Sequence, residues 1–147
     1  MTFLEKIAAR FAARSATPAR PSEDLGSATG HVSEHFHEDE FRCRCCGELH
    51  PDGIPQELVD HLEAVRKHFG KPVKINSGYR CPRHNKNVGG AKNSLHMQGK
   101  AADHYIDGVS PAKVAAFHSK RIQDGGVGKY NSFTHIDVRG YKARWGF

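Results

Sequence analysis

No uninterrupted apolar run in this chain approaches the ~20 residues needed to cross a bilayer. The N-terminal MTFLEKIAARFAARS also lacks the continuous apolar core of roughly 7–15 residues that marks a secretory signal, so synthesis in the cytoplasm without Sec export is expected. Aromatic residues are sparse at 9%, and the basic residues are scattered rather than striped. With no helix-turn-helix and no paired zinc knuckle, the chain is not expected to bind nucleic acid. GGAKNS (residues 89–94) has glycines but not the spacing of a Walker loop, so a phosphate cradle is not expected either. Cysteine is limited to Cys43, Cys45, Cys46 and Cys81, three of them within four positions, which rules out the spaced pairs of a disulfide scaffold. One C-x-x-C is present, Cys43 to Cys46, with no second pair after it. A four-thiolate zinc site would have to recruit Cys45 or Cys81; the other readings are free buried thiols or one bridge to Cys81.

What remains fits one soluble domain with a short appendage. The chain has 147 residues, 37% hydrophobic and 26% charged, enough for one modest core and one active site. The 22 Lys and Arg against 16 Asp and Glu leave a formal charge of +6, which favours polyanionic partners: nucleic acid, acidic lipid or an anionic cell wall.

Phe3, Leu4, Ile7 and Phe11 sit at helical spacing with Lys6, Arg10 and Arg14 between them, predicting a short basic amphipathic helix in residues 3–14. Such a helix either touches a membrane surface weakly or packs on the domain. Residues 15–30, SATPARPSEDLGSATG, read as a linker. Residues 1–30 therefore form an N-terminal segment, and the compact domain occupies residues 31–147. Within it, Ile54, Leu58, Leu62, Val65 and Phe69 predict a helix from about Pro55 that stops before Gly70. KPVKINS reads as a strand, followed by a long irregular stretch punctuated by glycine, and KAADHYI reads as another strand. Ser110-Pro111 starts a second helix, which carries Val114, Phe117, His118 and Ile122. A Gly-rich turn is expected over residues 124–128. In FTHIDVR, Thr134, Ile136 and Val138 alternate with Phe133, His135, Asp137 and Arg139, predicting the last strand. Helices and strands mix without strict alternation, which indicates an α+β fold with a small antiparallel sheet.

Three stretches combine rare polar residues with glycine: SGYRCPRHN (77–85), SLHMQGKAAD (94–103) and THIDVRG (134–140). His96 and Asp103 are too far apart for one helix face, but Gly99 permits a turn that folds the imidazole back toward a strand carboxylate. His135 and Asp137 share one strand face with Cα atoms ~6.6–7 Å apart, so one can bind a metal while the other binds it too, orients a ligand or handles protons. His104, beside Asp103, points to the opposite face. Two imidazoles and a carboxylate make a known catalytic zinc set with a position left for water.

The pattern Ser94-x-His96-x-x-Gly99-x-Ala101-x-Asp103 followed by His135-x-Asp137 resembles the zinc D-Ala-D-Ala carboxypeptidases and their peptidoglycan endopeptidase relatives, phage endolysins among them. The resemblance runs from about His31 to Phe147. These LAS-type metallopeptidases share a fold with the hedgehog signalling domain and a core with lysostaphin, so it implies a hedgehog/DD-peptidase-like fold around one Zn2+. Carried over by position, His96, Asp103 and His135 are the implied zinc ligands. Arg80 is the implied docking group for a substrate carboxylate, where a guanidinium pairs both oxygens as a lysine does not. Tyr79 and Ser94 are implied substrate contacts. Related dipeptidases place a carboxylate base three positions before the last ligand, where this chain has Ser132, which cannot serve. Asp137 takes its place as general base or as the partner that orients His135, and the inverse assignment, Asp137 as ligand and His135 as base, stays open.

The implied protein is a monomeric zinc peptidase acting on peptidoglycan stem peptides at the cell wall or periplasm, and its size suits a phage lysin. The alternatives are a zinc-containing binding module without turnover and a basic nucleic-acid binder. Trp145 and Tyr141 either line the groove or close the core.

Overall fold

The computed structural model describes residues 30–147. The helix expected over residues 3–14, its membrane-surface contact and all but the last residue of the 15–30 linker lie outside the described residues. The chain divides into two compact units with the boundary after His37. In the described part of the first, His31 and His37 pair in an isolated antiparallel bridge, and the Val32 N–H donates to the Phe36 carbonyl at 2.9 Å.

The second unit, Glu38–Phe147, opens with a 3-10 turn at Glu38–Phe41. Helix α1 (Gln56–Phe69) follows from an apolar stripe, and its Leu58, Val59, Leu62 and Val65 are buried, each stabilising the fold by roughly 1.5–3 kcal/mol. Gly70, at φ 64°, closes it by donating its N–H to Arg66 O. Strand β1 is Lys74–Ser77, helix α2 Pro82–Asn87 and strand β2 Ala101–Tyr105. Helix α3 (Pro111–Arg121) begins as its sequence predicts, with the Ser110 hydroxyl accepting the Lys113 N–H and proline in the first turn. Strands β3 (Gly126–Lys129), β4 (Thr134–Asp137) and β5 (Ala143–Trp145) complete the unit.

The sheet order is β1-β2-β4-β3-β5. The fold is α+β as expected, but the sheet is mixed rather than antiparallel. Four strands pair antiparallel, while β5 pairs parallel with β3. The cause is the short return after β4. It reverses the chain, so a strand placed beyond β3 must run as β3 does.

Two other departures have local causes. Residues 126–129 form a strand where a turn was expected. A Cβ on Gly126 would collide with the Asp137 carboxyl group, and one on Gly128 with the Trp145 indole, so glycine here makes room for neighbours in the sheet. Residues 82–87, expected to be irregular, form α2, started by Pro82 and by the Cys81 sulfur accepting the His84 N–H.

The sheet face carrying Ala102, His104, Thr134 and Ile136 is fully buried. His104 meets His118 of α3, and the Thr134 hydroxyl donates to Pro111 O. The opposite face carries Asp103, His135 and Asp137. Among the described residues, no helix is long and apolar enough to cross a membrane.

Candidate functional site

Strand register assembles the site. Ser77 lies opposite Asp103, Asp103 opposite His135, His135 opposite Gly128, and Gly128 opposite Trp145. One transverse row thus crosses all five strands. His96 reaches it from the loop before β2, where Gly99 adopts φ 71° and donates its N–H to His96 O. The Arg80 N–H also donates to His96 O, tying the SGYR segment to the same loop.

The three residues expected to bind metal converge. Their donor atoms all lie within 4.8 Å of one another and all three are buried. Asp103 Oδ1 is 3.2 Å from His96 Nε2 and 2.9 Å from His135 Nδ1. His96 Nδ1 lies 2.7 Å from Gly78 O, which fixes its proton on Nδ1 and turns the Nε2 lone pair toward the other two donors. On the far side of its ring, His135 Nε2 lies 2.8 Å from Asp137 Oδ2.

Burial opposes the charge of Asp103, but the neighbouring His135 and His96 imidazoles outweigh it and hold the carboxyl well below the usual carboxylate range. Asp137 is lowered the same way, with burial overcome by His135 and Arg139. For His135, burial disfavours the cation, yet hydrogen bonds to Asp103 and Asp137 prevail and raise its pKa.

Asp137 is fully buried, and its two oxygens face five N–H groups. Oδ1 accepts from Gly126 N, Arg139 N and Arg139 Nε; Oδ2 accepts from Arg139 Nη2 and meets His135 Nε2. It does not line the cleft, so it has no direct access to a water there.

The cleft itself, about 500 Å3, lies over the row, and Arg80, Ser94, His96, Asp103, His135 and Arg139 line it. Arg80 donates from Nε to Ser77 Oγ (3.1 Å), from Nη1 to Asn85 Oδ1 (3.2 Å) and from Nη2 to Asp103 Oδ2 (3.2 Å). One N–H on each terminal nitrogen has no partner among these contacts. The Ser94 hydroxyl accepts the His96 N–H at 3.1 Å and orders the loop. Tyr79, an expected substrate contact, is not brought to the cleft. Its N–H is bound to Phe41 O, and its ring packs 5.5 Å from His50, lining a separate small cavity. Ser132 is exposed and lies off the cleft lining. His104 does point to the opposite face, as alternation requires.

Sequence reasoning assigned no role to Asn85, Arg139, Tyr130 or Phe133. Asn85 is buried, accepting from Arg80 and donating to Ala91 O, and a Cβ on Gly90 would collide with its Oδ1. Arg139 shares the alternating face of His135 and Asp137, a signal that was available. Its guanidinium stands 5.3 Å from the Trp145 ring centroid and 5.5 Å from that of Tyr141. Tyr130 stacks on Phe133 at 4.5 Å and accepts the Trp145 indole N–H at 2.9 Å. Trp145 and Tyr141, left undecided between groove and core, line the groove.

The residues fit a divalent cation. His96 Nε2 is buried without a hydrogen-bond partner, although Asp103 Oδ1 is close, so its lone pair points into the space between the three donors. Nitrogen and oxygen ligands of one tetrahedral zinc lie about 3.3 Å apart, near the separations seen here.

A family model described as Peptidase M15 matches residues 34–137. The Zinc D-Ala-D-Ala carboxypeptidase of Streptomyces albus G is 54% identical over 43 residues, covering 29% of this chain and 17% of that protein. The Peptidoglycan L,D-endopeptidase MepK of Escherichia coli K12 is 36% identical over 94 residues, 58% of this chain and 51% of that protein. The Probable peptidoglycan L,D-endopeptidase MepK of Haemophilus influenzae is 38% identical over 73 residues, 45% and 39% of the two chains. The chain spans about half the length, or less, of these curated relatives.

Proposed function

This chain belongs to the peptidase M15 family, and from that membership we propose that it is a zinc peptidase that hydrolyses a D-amino-acid-containing peptide bond in peptidoglycan stem peptides. Its relatives are named as a zinc D-Ala-D-Ala carboxypeptidase and a peptidoglycan L,D-endopeptidase; in our reading the reaction is that of a D,D-carboxypeptidase or cross-bridge endopeptidase, the cell wall or periplasm is the place of action, and a phage lysin is one form of it. The observation that carries the reading is the buried, unpartnered Nε2 of His96 aimed at Asp103 and His135 beneath a cleft that also holds Arg80.

His96 through Nε2, Asp103 through Oδ1 and His135 through Nδ1 are the ligands in this reading. Bound there, zinc supplies electrophilic activation of the scissile carbonyl and a lowered pKa for the attacking water. Asp137 acts as a positioning residue: by holding the Nε2 proton of His135 it presents the Nδ1 lone pair to the site. Of the two roles expected for it, its burial favours this one over general base. Arg80 holds Asp103 Oδ2 and offers its two remaining N–H groups to a substrate carboxylate, fixing the peptide beside the ligands. Tyr130, Phe133 and Trp145 form an aromatic wall for the rest of the stem peptide.

Incubation of purified sacculi with the zinc-loaded chain should release muropeptides whose masses identify the bond cut. A chelator should stop release and added zinc restore it. Release that is indifferent to the chelator ends the proposal. Zinc binding at the triad with no hydrolysis of any muropeptide selects the binding module instead; that reading draws on Asp103 being the one carboxylate among the described lining residues.

A further inference from the structure

Away from the cleft, the structure gathers a second set of metal-type donors. The sulfurs of Cys43, Cys46 and Cys81 lie within 4.8 Å of one another. Cys45 sits on the same turn between Cys43 and Cys46, and its thiol interacts electrostatically with that of Cys81. All four cysteines are free. Thirty-four residues lie between Cys46 and Cys81, so the fold and not local sequence brings these thiols together.

The backbone around them is shaped to hold sulfur. Cys43-Arg44-Cys45-Cys46-Gly47 closes as a tight turn in which the Gly47 N–H donates to Cys43 O at 2.9 Å and Gly47 takes φ 77°. Cys43 Sγ accepts the N–H groups of Cys45 (3.4 Å) and Cys81 (3.3 Å), and Cys81 Sγ accepts that of His84 (3.4 Å). Such N–H donors stabilise sulfur as thiolate, the form in which it binds metal. Three mutually close thiols, with a fourth from Cys45 on the same turn, exceed what one disulfide uses. Sulfurs on one tetrahedral zinc, each with a Zn–S bond of ~2.3 Å, lie roughly 3.8 Å apart, so closure by about 1 Å would complete the shell. Cys43 is buried while Cys45 and Cys46 are exposed, which leaves the site open to an entering ion.

We propose that Cys43, Cys46 and Cys81, with Cys45 as the fourth donor, form a structural zinc site separate from the cleft. Its place gives it a purpose. Cys81 follows Arg80 directly, and the Tyr79 N–H already donates to Phe41 O, so the ion would clamp the 43–47 turn to the segment that carries the guanidinium.

The full chain, purified under reducing conditions without chelator, is expected to hold two zinc ions by elemental analysis, while His96→Ala and Cys81→Ser hold one each. Cobalt(II) substitution should give a thiolate-to-metal charge-transfer band that survives in His96→Ala and disappears in Cys81→Ser. The four thiols should resist a thiol reagent until zinc is stripped. If Cys81→Ser fails to fold, Cys45→Ser at the surface should weaken the band while leaving the fold intact. The site is overturned if His96→Ala holds no zinc, if its cobalt form lacks the band, or if unreduced protein is lighter by two or four hydrogens. Because the band is read in His96→Ala, this result is independent of whether the cleft hydrolyses anything.

Discussion

Asp103 and His104 are neighbours on β2, yet they belong to two histidine groups with opposite chemistry. On one face, His96 and His135 meet two carboxylates, and the imidazole of His135 is drawn toward its charged form. On the other, His104 and His118 touch each other through their Nε2 atoms at 2.9 Å, with no carboxylate among the described residues in hydrogen-bond contact. Burial pushes the pKa of His104 down to about 4, and burial together with His104 lowers that of His118 well below the ordinary value. Equal burial of the same side chain therefore gives a cation-seeking site beside acids and a neutral filler without them. Partners decide the role of a buried histidine, not its depth.

The sharpest way to break this contrast is to substitute on each side of the sheet. Asp103→Asn should abolish both zinc retention in the cleft and muropeptide hydrolysis while near-UV circular dichroism stays native. His104→Leu should leave hydrolysis per folded molecule unchanged. Activity surviving in the first, or lost in the second, would dissolve the distinction.

The next effect is on stability against pH. The native pKa of His104 lies below the unfolded value of about 6.5, so the unfolded chain binds more protons between pH 6.5 and 4. The contribution is intact above pH 6.5 and is lost on acidification through that window, up to about 3 kcal/mol. Urea unfolding should show this loss in wild type and a smaller one in a His104→Leu/His118→Leu variant. His135 acts with the opposite sign in metal-free protein: its raised pKa adds stability below pH ~6.5 that fades as pH rises past the native value. Nuclear magnetic resonance titration of the chelated protein should find His135 above the ordinary imidazole value and His104 far below it.

Smaller effects sharpen the role of the partners. Asp137→Asn should lower cleft zinc affinity or activity by roughly 10–100-fold, measured by competition with a chromogenic chelator, because His135 loses its anionic anchor. A shift under twofold would show that Asp137 does not position the ring. Trp145→Ala should raise KM about threefold to tenfold with kcat nearly unchanged, as loss of one aromatic contact implies.

Much of this was legible in the sequence. Helices α1 and α3 announce themselves through three-and-four spacing and clear stops or caps, and the alternation in FTHIDVR places His135 and Asp137 on one face. Gly99 paired His96 with Asp103, and the resemblance to the zinc D-Ala-D-Ala carboxypeptidases added His135 as the third ligand. What escaped depended on distant neighbours. Gly126 and Gly128 look like a turn unless Asp137 and Trp145 are known to fill the space above them. Helix α2 is short and polar, and β5 is only three residues long, so neither carries a period. Tyr79 was misplaced because adjacency to Arg80 in a strand-like segment sends its side chain the other way.

The transverse row from Ser77 to Trp145 has one last consequence. Adjacent strands lie about 4.8 Å apart, so the row is a ruler some 19 Å long whose marks the surrounding loops cannot move. A slip of β4 by a single residue would turn His135 toward the helices and set Ile136 beside Asp103. A wrongly threaded chain would therefore lose the donor set outright rather than keep half of it, and the loops at the rim are free to vary without moving it.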